Sequence, residues 1–403
     1  MTSALPLPVI SRSSDSAYSW AVAAATLVMA SLSFGAVTSI PILFAPIARD
    51  FGWSHSRVAL VHAFAMVGAG LGSVVLGRLL DRRGFFLIAV AGSLATGSGL
   101  VLVSKAETLW QMIIPFALLV GGVGQGAFFS PLAAAVTHWF DRHRALAVAI
   151  ALSGQSVGGL LVPPLLRVAA ETYGWRSALQ GYGVICSVGM LAAACLYAAR
   201  QPSHEGGPRL EPSSTSARGA SRKTSLLAAA LFCSNTANFG VAGHMVSYGE
   251  HVGFGPAAAG SLMAALFGIT LFSRLGVGLT LARGGTYKVM MATSLLHAVG
   301  VWVVVCSSAP WQLVVGLLCV GLGFGGYLPA YGSLVRSMFP AQEAGRRLAE
   351  LYLLGFLGAG CGTWIVGALR DLRGGSFDIA FFAMAMLSST ACVLLGSWRR
   401  VQA

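Results

Sequence analysis

Long apolar runs alternate with short polar segments along the whole chain. The runs occupy residues 17–48, 58–77, 84–104, 108–137, 145–166, 177–199, 224–249, 252–282, 289–335, 351–369 and 379–398. About twenty apolar residues cross the hydrocarbon core as a helix, so 289–335 is long enough for two crossings, and Ser307 to Pro310 break it. The runs are continuous rather than alternating, which favours helices over barrel strands. The pattern therefore predicts an all-α polytopic membrane protein with twelve transmembrane helices.

The composition supports a lipid environment. Of 403 residues, 56% are hydrophobic and 10% are charged, and the mean hydropathy is +0.76. A soluble protein carries roughly 25% charged residues to solvate its surface. Most of the surface must therefore face the lipid bilayer rather than water.

The positive charge is distributed unevenly across the predicted crossings. The formal net charge is +13, which in a soluble protein would suggest nucleic acid as a partner. With an even number of crossings the two termini share one side, and 18 of the 26 Lys and Arg residues lie there, against 7 on the other side. This excess predicts cytoplasmic termini in a multi-pass plasma membrane protein, with no nucleic-acid partner. The short loops favour a bacterial inner membrane.

The chain divides into two halves of six crossings. Residues 1–199 form the predicted N-terminal half, 200–223 a polar cytoplasmic linker loop, and 224–403 the C-terminal half. Residues 77–84 (GRLLDRRG) follow the second crossing, and residues 278–285 (GLTLARGG) follow the eighth. Such internal repeats are typical of carriers that work by alternating access, with the substrate held between the halves.

The segment GRLLDRRG resembles the signature loop of the major facilitator superfamily, and the resemblance covers the whole chain. It implies the twelve-helix fold of that superfamily and secondary transport. It also implies a gating role for Asp81, with Arg82, Arg144 and Arg347 forming cytoplasmic charge contacts that hold one conformation. The alternative is that these residues are solvated faces and topology anchors.

A narrower resemblance is carried by four segments: 15–20 (DSAYSW), 124–131 (GQGAFFSP), 139–147 (WFDRHRALA) and 244–250 (HMVSYGE). They are similar to motifs of the monocarboxylate (lactate/pyruvate) transporter family, and the bacterial oxalate/formate exchangers share much of this pattern. The resemblance therefore implies an organic-anion carrier.

Arg274 is the only Lys or Arg inside an apolar run. An arginine at bilayer depth costs at least about 2.5–3.5 kcal/mol on insertion scales, so it normally faces a cavity. Its planar fork of donors matches a carboxylate. The family resemblance assigns the same role to an arginine of the eighth crossing, although a structural role as a snorkelling or paired arginine is the alternative.

Two departures from the family bear on the substrate. Thr270 stands where the animal carriers have an aspartate, and Thr38 stands where they have a lysine. The eleventh run has no cation, unlike that of the oxalate exchangers. One fixed cation suits a monoanion, because a second carboxylate would be desolvated without a partner. We expect a small monocarboxylate, with an organic-anion exchanger or a carrier of another small solute as alternatives.

Proton coupling has few candidate residues. The apolar runs contain no Asp or Glu. His244 lies inside the seventh run and Glu250 closes its end, and an imidazole titrates near neutrality. Either His244 carries the proton, or it is a structural histidine and the substrate is protonated at Arg274.

Other polar and aromatic residues are candidates for the cavity wall. Phe129 would supply an apolar face, and Tyr327 and Tyr331 flank Pro329 in the tenth crossing. Asn238, Gln155 and Gln125 either line the cavity or form interhelical hydrogen bonds. Thr38 and His244 are further candidates for contact with the substrate. The seven cysteines show no metal-ligand spacing. We expect no cofactor, metal or catalytic site, and hence a transporter rather than an enzyme.

Overall fold

A computed structural model describes residues 15–198, 217–281, 285–307, 309–339 and 341–400. Twelve helices in it are long and apolar enough to cross a membrane, as predicted. They are called span 1 to span 12 and comprise Ala17–Ile42, His55–Arg83, Phe85–Ser104, Leu109–Trp139, Arg144–Tyr173, Trp175–Ala198, Ala217–His251, Pro256–Leu281, Thr286–Val305, Pro310–Met338, Ala341–Leu372 and Asp378–Arg400. A short helix, Phe44–Phe51, lies between spans 1 and 2.

The predicted linker differs in one respect. Residues 199–216 lie outside the described residues, and the helix of span 7 begins at Ala217. The last seven residues predicted for the loop are therefore helical. A helix satisfies its own backbone hydrogen bonds, so span 7 can begin before its apolar run does.

Each of the two repeats ends in a glycine with a positive φ. Gly84 closes span 2 with φ +72°, and Gly285 precedes span 9 with φ +84°. A side chain at positive φ is strained, whereas glycine is not. The final glycine of each repeat thus allows the chain to reverse between spans 2 and 3 and between spans 8 and 9.

Spans 1 to 6 make most of their contacts with one another, and so do spans 7 to 12. The first set is called the N half and the second the C half. The halves meet chiefly where span 2 lies against span 11 and where span 5 lies against span 8. The face at which span 1 begins is called the termini face, and the other end is called the opposite face.

Polar contacts join the halves at the opposite face. The carboxylate of Asp371 in span 11 accepts hydrogen bonds from the backbone N–H of His55, at 3.2 Å, and of Ser56, at 2.7 Å, where span 2 begins. The first N–H groups of a helix have no partner inside the helix. Asp371 therefore caps a helix of the other half, and the guanidinium of Arg370 lies 2.8 Å from Nδ1 of His55.

Span 4 is irregular, and its irregularity shapes the centre of the molecule. Residues Phe116–Gln125 form a π-helix, and a regular helix resumes at Ser130–Val136. Glycines allow close packing here: a Cβ on Gly72 of span 2 would lie 1.9 Å from the carbonyl oxygen of Gly122. π-Helical turns are frequent at functional sites. Glycines in membrane helices allow neighbouring helices to approach closely.

Candidate functional site

Arg274 bridges the two halves. Its side chain is buried, with the residue only 7% exposed. Arg274 belongs to span 8 of the C half. It donates through Nη1 to the carbonyl oxygen of Leu152 and through Nη2 to Oε1 of Gln155, at 3.1 Å. Leu152 and Gln155 belong to span 5 of the N half. The guanidinium carbon also lies 5.8 Å from the ring centre of Phe324.

A cavity adjoins Arg274 between the halves. Its empty space is about 250 Å3, its open mouth included, and its lining residues are Phe129, Leu152, Gln155, Arg274, Leu328, Pro329 and Tyr352. The lining is apolar except for one guanidinium, one amide and one phenol. Ligand sites of this kind combine an apolar wall with a few polar groups that orient the ligand. The chemistry of this lining suits a ligand that has an anionic end and little other polarity.

Irregular positions in two helices contribute residues to the cavity lining. Phe129 stands between the π-helix and Ser130, with φ −108° and ψ −92°, and Pro131 follows in the first turn, where a missing N–H costs no hydrogen bond. Pro329 lies inside span 10, where it removes one backbone donor, although the helix continues to Met338. The ring of Phe129 lies edge-on to Tyr352, at 5.5 Å, and to Phe356, at 5.2 Å, both in span 11.

Tyr327 and Tyr331 are not among the cavity-lining residues. The Tyr327 hydroxyl donates to Oδ1 of Asn235, at 3.2 Å, and its ring lies 6.0 Å from that of His297. Tyr331 is fully buried one helical turn away. Leu328 and Pro329 supply the lining from span 10 instead, so the two tyrosines lie inside the C half.

Three further polar residues of the transmembrane helices are buried in the interior of the protein. Thr38 donates through Oγ1 to the carbonyl of Phe34 in its own helix, at 2.9 Å. Thr270, one turn before Arg274, donates to the carbonyl of Leu266, at 2.8 Å. Asn238 is fully buried, and its amide has no hydrogen-bond partner among the described residues. No carboxylate contacts Arg274 within the part of the chain that the structure describes.

His244 and Glu250 lie toward the opposite face, each in contact with another helix. Nε2 of His244 lies 2.8 Å from the carbonyl oxygen of Thr363 in span 11, while Nδ1 has no partner among the described residues. Oγ1 of Thr363 lies 3.1 Å from Nδ1 of His62 in span 2. Glu250 forms an ion pair with Arg167 of span 5. Both candidates for proton coupling are therefore connected to contacts between the halves.

The four residues expected to form the gate lie at the termini face. The side chains of Asp81 and Arg144 lie outside the described part of the structure. Arg82 is exposed. Arg347 pairs within its own helix with Glu350, at 3.2 Å, and both side chains are partly exposed. Such a local pair contributes about 0.3–0.5 kcal/mol.

Three residues of this architecture did not follow from the sequence. Tyr352 lines the cavity from a run predicted only as a crossing. Arg167 and Asp371 lie just beyond the apolar runs that end at 166 and 369, so the hydropathy pattern gives neither residue a place in a helix. Helices continue beyond these runs to Tyr173 and Leu372. The signal was that no proline follows either run within the seven residues 167–173 or the three residues 370–372.

Gln155 and Gln125 have different surroundings. Gln155 contacts Arg274 across the halves, whereas Oε1 of Gln125 accepts a hydrogen bond from Ser33 within the N half, at 2.8 Å. Gln155 lines the cavity and also accepts an interhelical hydrogen bond, whereas Gln125 accepts an interhelical hydrogen bond without being among the cavity-lining residues. No group of His, Cys, Asp or Glu suited to a metal ion occurs among the described residues.

Comparisons with known proteins agree with this architecture. Human monocarboxylate transporter 11 is 27% identical over 399 residues, covering 95% of this chain and 82% of that protein. Rat monocarboxylate transporter 13 is 23% identical over 388 residues, covering 94% and 89%. The MFS transporter asaE of Aspergillus flavus is 24% identical over 401 residues, covering 93% and 86%.

Solved structures share the fold. A bacterial homologue of the human lysosomal transporter Spinster, in an inward-facing and occupied conformation, superimposes with a TM-score of 0.74 and 15% identity, covering 96% of this chain and 98% of that one. The nucleoside transporter NupG gives 0.70 and 13%, with 94% and 99% covered. The family model of the Major Facilitator Superfamily matches residues 25–305 and 227–403 of this chain. The chain is therefore a membrane transporter that belongs to the major facilitator superfamily.

Proposed function

We propose that this transporter carries small monocarboxylates of the lactate or pyruvate kind, and that Arg274 binds the carboxylate. The observation that carries the proposal is a buried guanidinium beside a cavity at the junction of the halves, whose hydrogen-bond partners among the described residues are neutral oxygens. A carboxylate offers two oxygens in the geometry of the fork and adds the missing negative charge. The similarity to monocarboxylate transporters supports the same substrate class.

The remaining lining fits a molecule with one charged end. Phe129, Leu152 and Leu328 offer apolar contact, and among the described residues Gln155 and Tyr352 are the polar lining residues besides Arg274. A second carboxylate would lose its hydration without gaining a cation. The site therefore favours a short monoanion over a dianion.

Transport would proceed by alternating access with proton symport, the proton being carried by His244 or by the substrate. The termini face would be cytoplasmic, and the membrane the bacterial inner membrane. Asp81, Arg82, Arg144 and Arg347 would form the gate of the termini face, and Glu250 would act at the opposite face through Arg167.

Organic-anion exchange is the second candidate function. The neutral partners of Arg274 leave the substrate-free site with a positive charge that no described residue cancels. Moving an uncompensated charge through the low-dielectric part of a membrane is costly. An exchanger avoids this step, because its site always changes orientation with an anion bound.

The test is uptake of radiolabelled L-lactate and pyruvate into proteoliposomes, with and without an inward proton gradient. We expect gradient-driven uptake by the wild type and at least about tenfold less in Arg274→Ala, since a hydrogen-bonded charge is lost. Arg49→Ala removes an exposed arginine whose contact is to its own helix, and it should transport normally.

Uptake only into vesicles preloaded with anions would establish the exchange function instead. Equal uptake by wild type and Arg274→Ala would contradict the assigned site. Stronger competition by a dicarboxylate than by any monocarboxylate would contradict the substrate class.

A further inference from the structure

The same two nitrogen atoms of Arg274 that a carboxylate would use are occupied in this structure. Nη1 donates to the carbonyl of Leu152, and Nη2 donates to the amide oxygen of Gln155. The two acceptors are three residues apart on one face of span 5. Together they present two oxygens to the guanidinium, as a carboxylate does, but without its charge.

A buried guanidinium needs acceptors whether or not substrate is present. Leaving a charged group buried without partners is far more costly than leaving it hydrogen-bonded. Among the described residues, the acceptors of Arg274 come only from the other half. The Leu152 carbonyl belongs to the backbone, so Gln155 is the acceptor that a substitution can remove.

We propose that Gln155 is a positioning residue that holds Arg274 in the substrate-free carrier and releases it to the incoming substrate. This inference rests on the proposed function of Arg274. Gln155 stabilises the empty state in which the carrier must change orientation after releasing its cargo. Net transport needs this step, whereas exchange of cargo on one side for cargo on the other does not.

Spans 5 and 8 also pack closely at residues other than Gln155. Gln155 is therefore not needed to hold these two helices together, and its role is to stabilise the charge of Arg274. A Cβ on Gly159 would lie 2.3 Å from the Phe267 ring, and one on Gly268 would lie 3.2 Å from a Leu160 methyl group. Spans 5 and 8 are thus in contact one turn beyond Gln155 without its help. Loss of the amide should therefore leave the two helices together while leaving Arg274 with fewer acceptors.

The test compares net efflux of labelled lactate into lactate-free medium with exchange against external lactate. The variants are Gln155→Ala and Gln155→Glu, with Gln125→Ala as the matched control, since that buried amide bonds only within the N half. We expect Gln155→Ala to lower net efflux at least about tenfold relative to exchange, as for a lost hydrogen bond to a charge. Gln155→Glu should weaken lactate binding in both modes, because its carboxylate competes for Arg274. Gln125→Ala should leave the ratio unchanged.

Hydrogen–deuterium exchange of the substrate-free carrier supplies a second measurement that needs no cargo. We expect faster exchange over residues 146–160 in Gln155→Ala than in Gln125→Ala. Faster exchange there in a carrier that transports no carboxylate would support the role of Gln155 and overturn the proposed substrate. Equal losses of net efflux and exchange in Gln155→Ala, or the same change in Gln125→Ala, would overturn the inference while leaving the substrate class intact.

Discussion

Arg167 of span 5 donates a hydrogen bond to the carboxylate of Glu250 at the end of span 7, and this ion pair joins the two halves at the opposite face. The Arg167 side chain is only 3% exposed, and that of Glu250 is 22% exposed. Removing one partner of an ion pair that is largely shielded from water is costly, because the other charge is left buried without compensation. Glu250 therefore connects the end of span 7 with the interface between the halves.

Glu250→Gln should favour opening of the opposite face. The neutral amide weakens the attraction to Arg167, so we expect the buried ends of spans 5 and 7 to become accessible to a water-soluble thiol reagent at a cysteine introduced there. The increase should be at least about fivefold, which corresponds to roughly 1 kcal/mol. Glu171→Gln is the control. Oε1 of Glu171 lies 3.8 Å from Nε of Arg167, but Glu171 belongs to the same helix as Arg167 and its side chain is 41% exposed. Equal accessibility in both variants would contradict a role in closure.

Asp371→Asn should weaken the contact between spans 2 and 11 at the same face. The carboxylate accepts from two N–H groups at the start of span 2, and losing a helix cap costs about 0.5–2 kcal/mol. We expect faster hydrogen–deuterium exchange over residues 55–60. Asp50→Asn is the matched control, since Asp50 pairs with Arg176 within the N half. Unchanged exchange in Asp371→Asn would show that the cap does not hold the face closed.

His244→Gln tests which group carries the proton. A glutamine amide can still donate to the carbonyl of Thr363, but it does not titrate between pH 5 and 8. If His244 couples transport to protons, uptake that rises as the external pH falls should become independent of pH, while exchange at constant pH remains. His297→Gln is the control, because His297 is also buried and bonds to Ser388 within the C half, at 2.7 Å. A pH profile unchanged in His244→Gln would assign the proton to the substrate.

Gly72→Ala should lower thermal stability, because a Cβ there would lie 1.9 Å from the Gly122 carbonyl oxygen and force spans 2 and 4 apart. Overpacking of this kind costs about 1–3 kcal/mol. Gly77→Ala is the control. Gly77 lies in the same helix, and a Cβ there would have no atom within 4 Å, so this variant should unfold at the wild-type temperature. Equal melting temperatures of the two variants in detergent would contradict the close approach.

The sequence alone specifies the twelve spans, because each must satisfy its backbone and its lipid contacts by itself, a local property that hydropathy records. It also singles out Arg274, since a charge within an apolar run stands out without any knowledge of its neighbours. The glycine turns at Gly84 and Gly285 are likewise visible in the repeated segment.

The tertiary structure decides what the sequence leaves open, because contacts between the halves join residues as far apart in sequence as 83 positions, for Arg167 and Glu250, and 316 positions, for His55 and Asp371. It places Gln155 rather than Gln125 beside Arg274, and Tyr352 in the cavity. It turns Tyr327 toward Asn235, since the face that a helical residue presents depends on the packing of its helix and not on its neighbours in sequence. The ends of helices beyond the apolar runs also depend on such contacts, so Arg167 and Asp371 acquire their partners only in the folded chain.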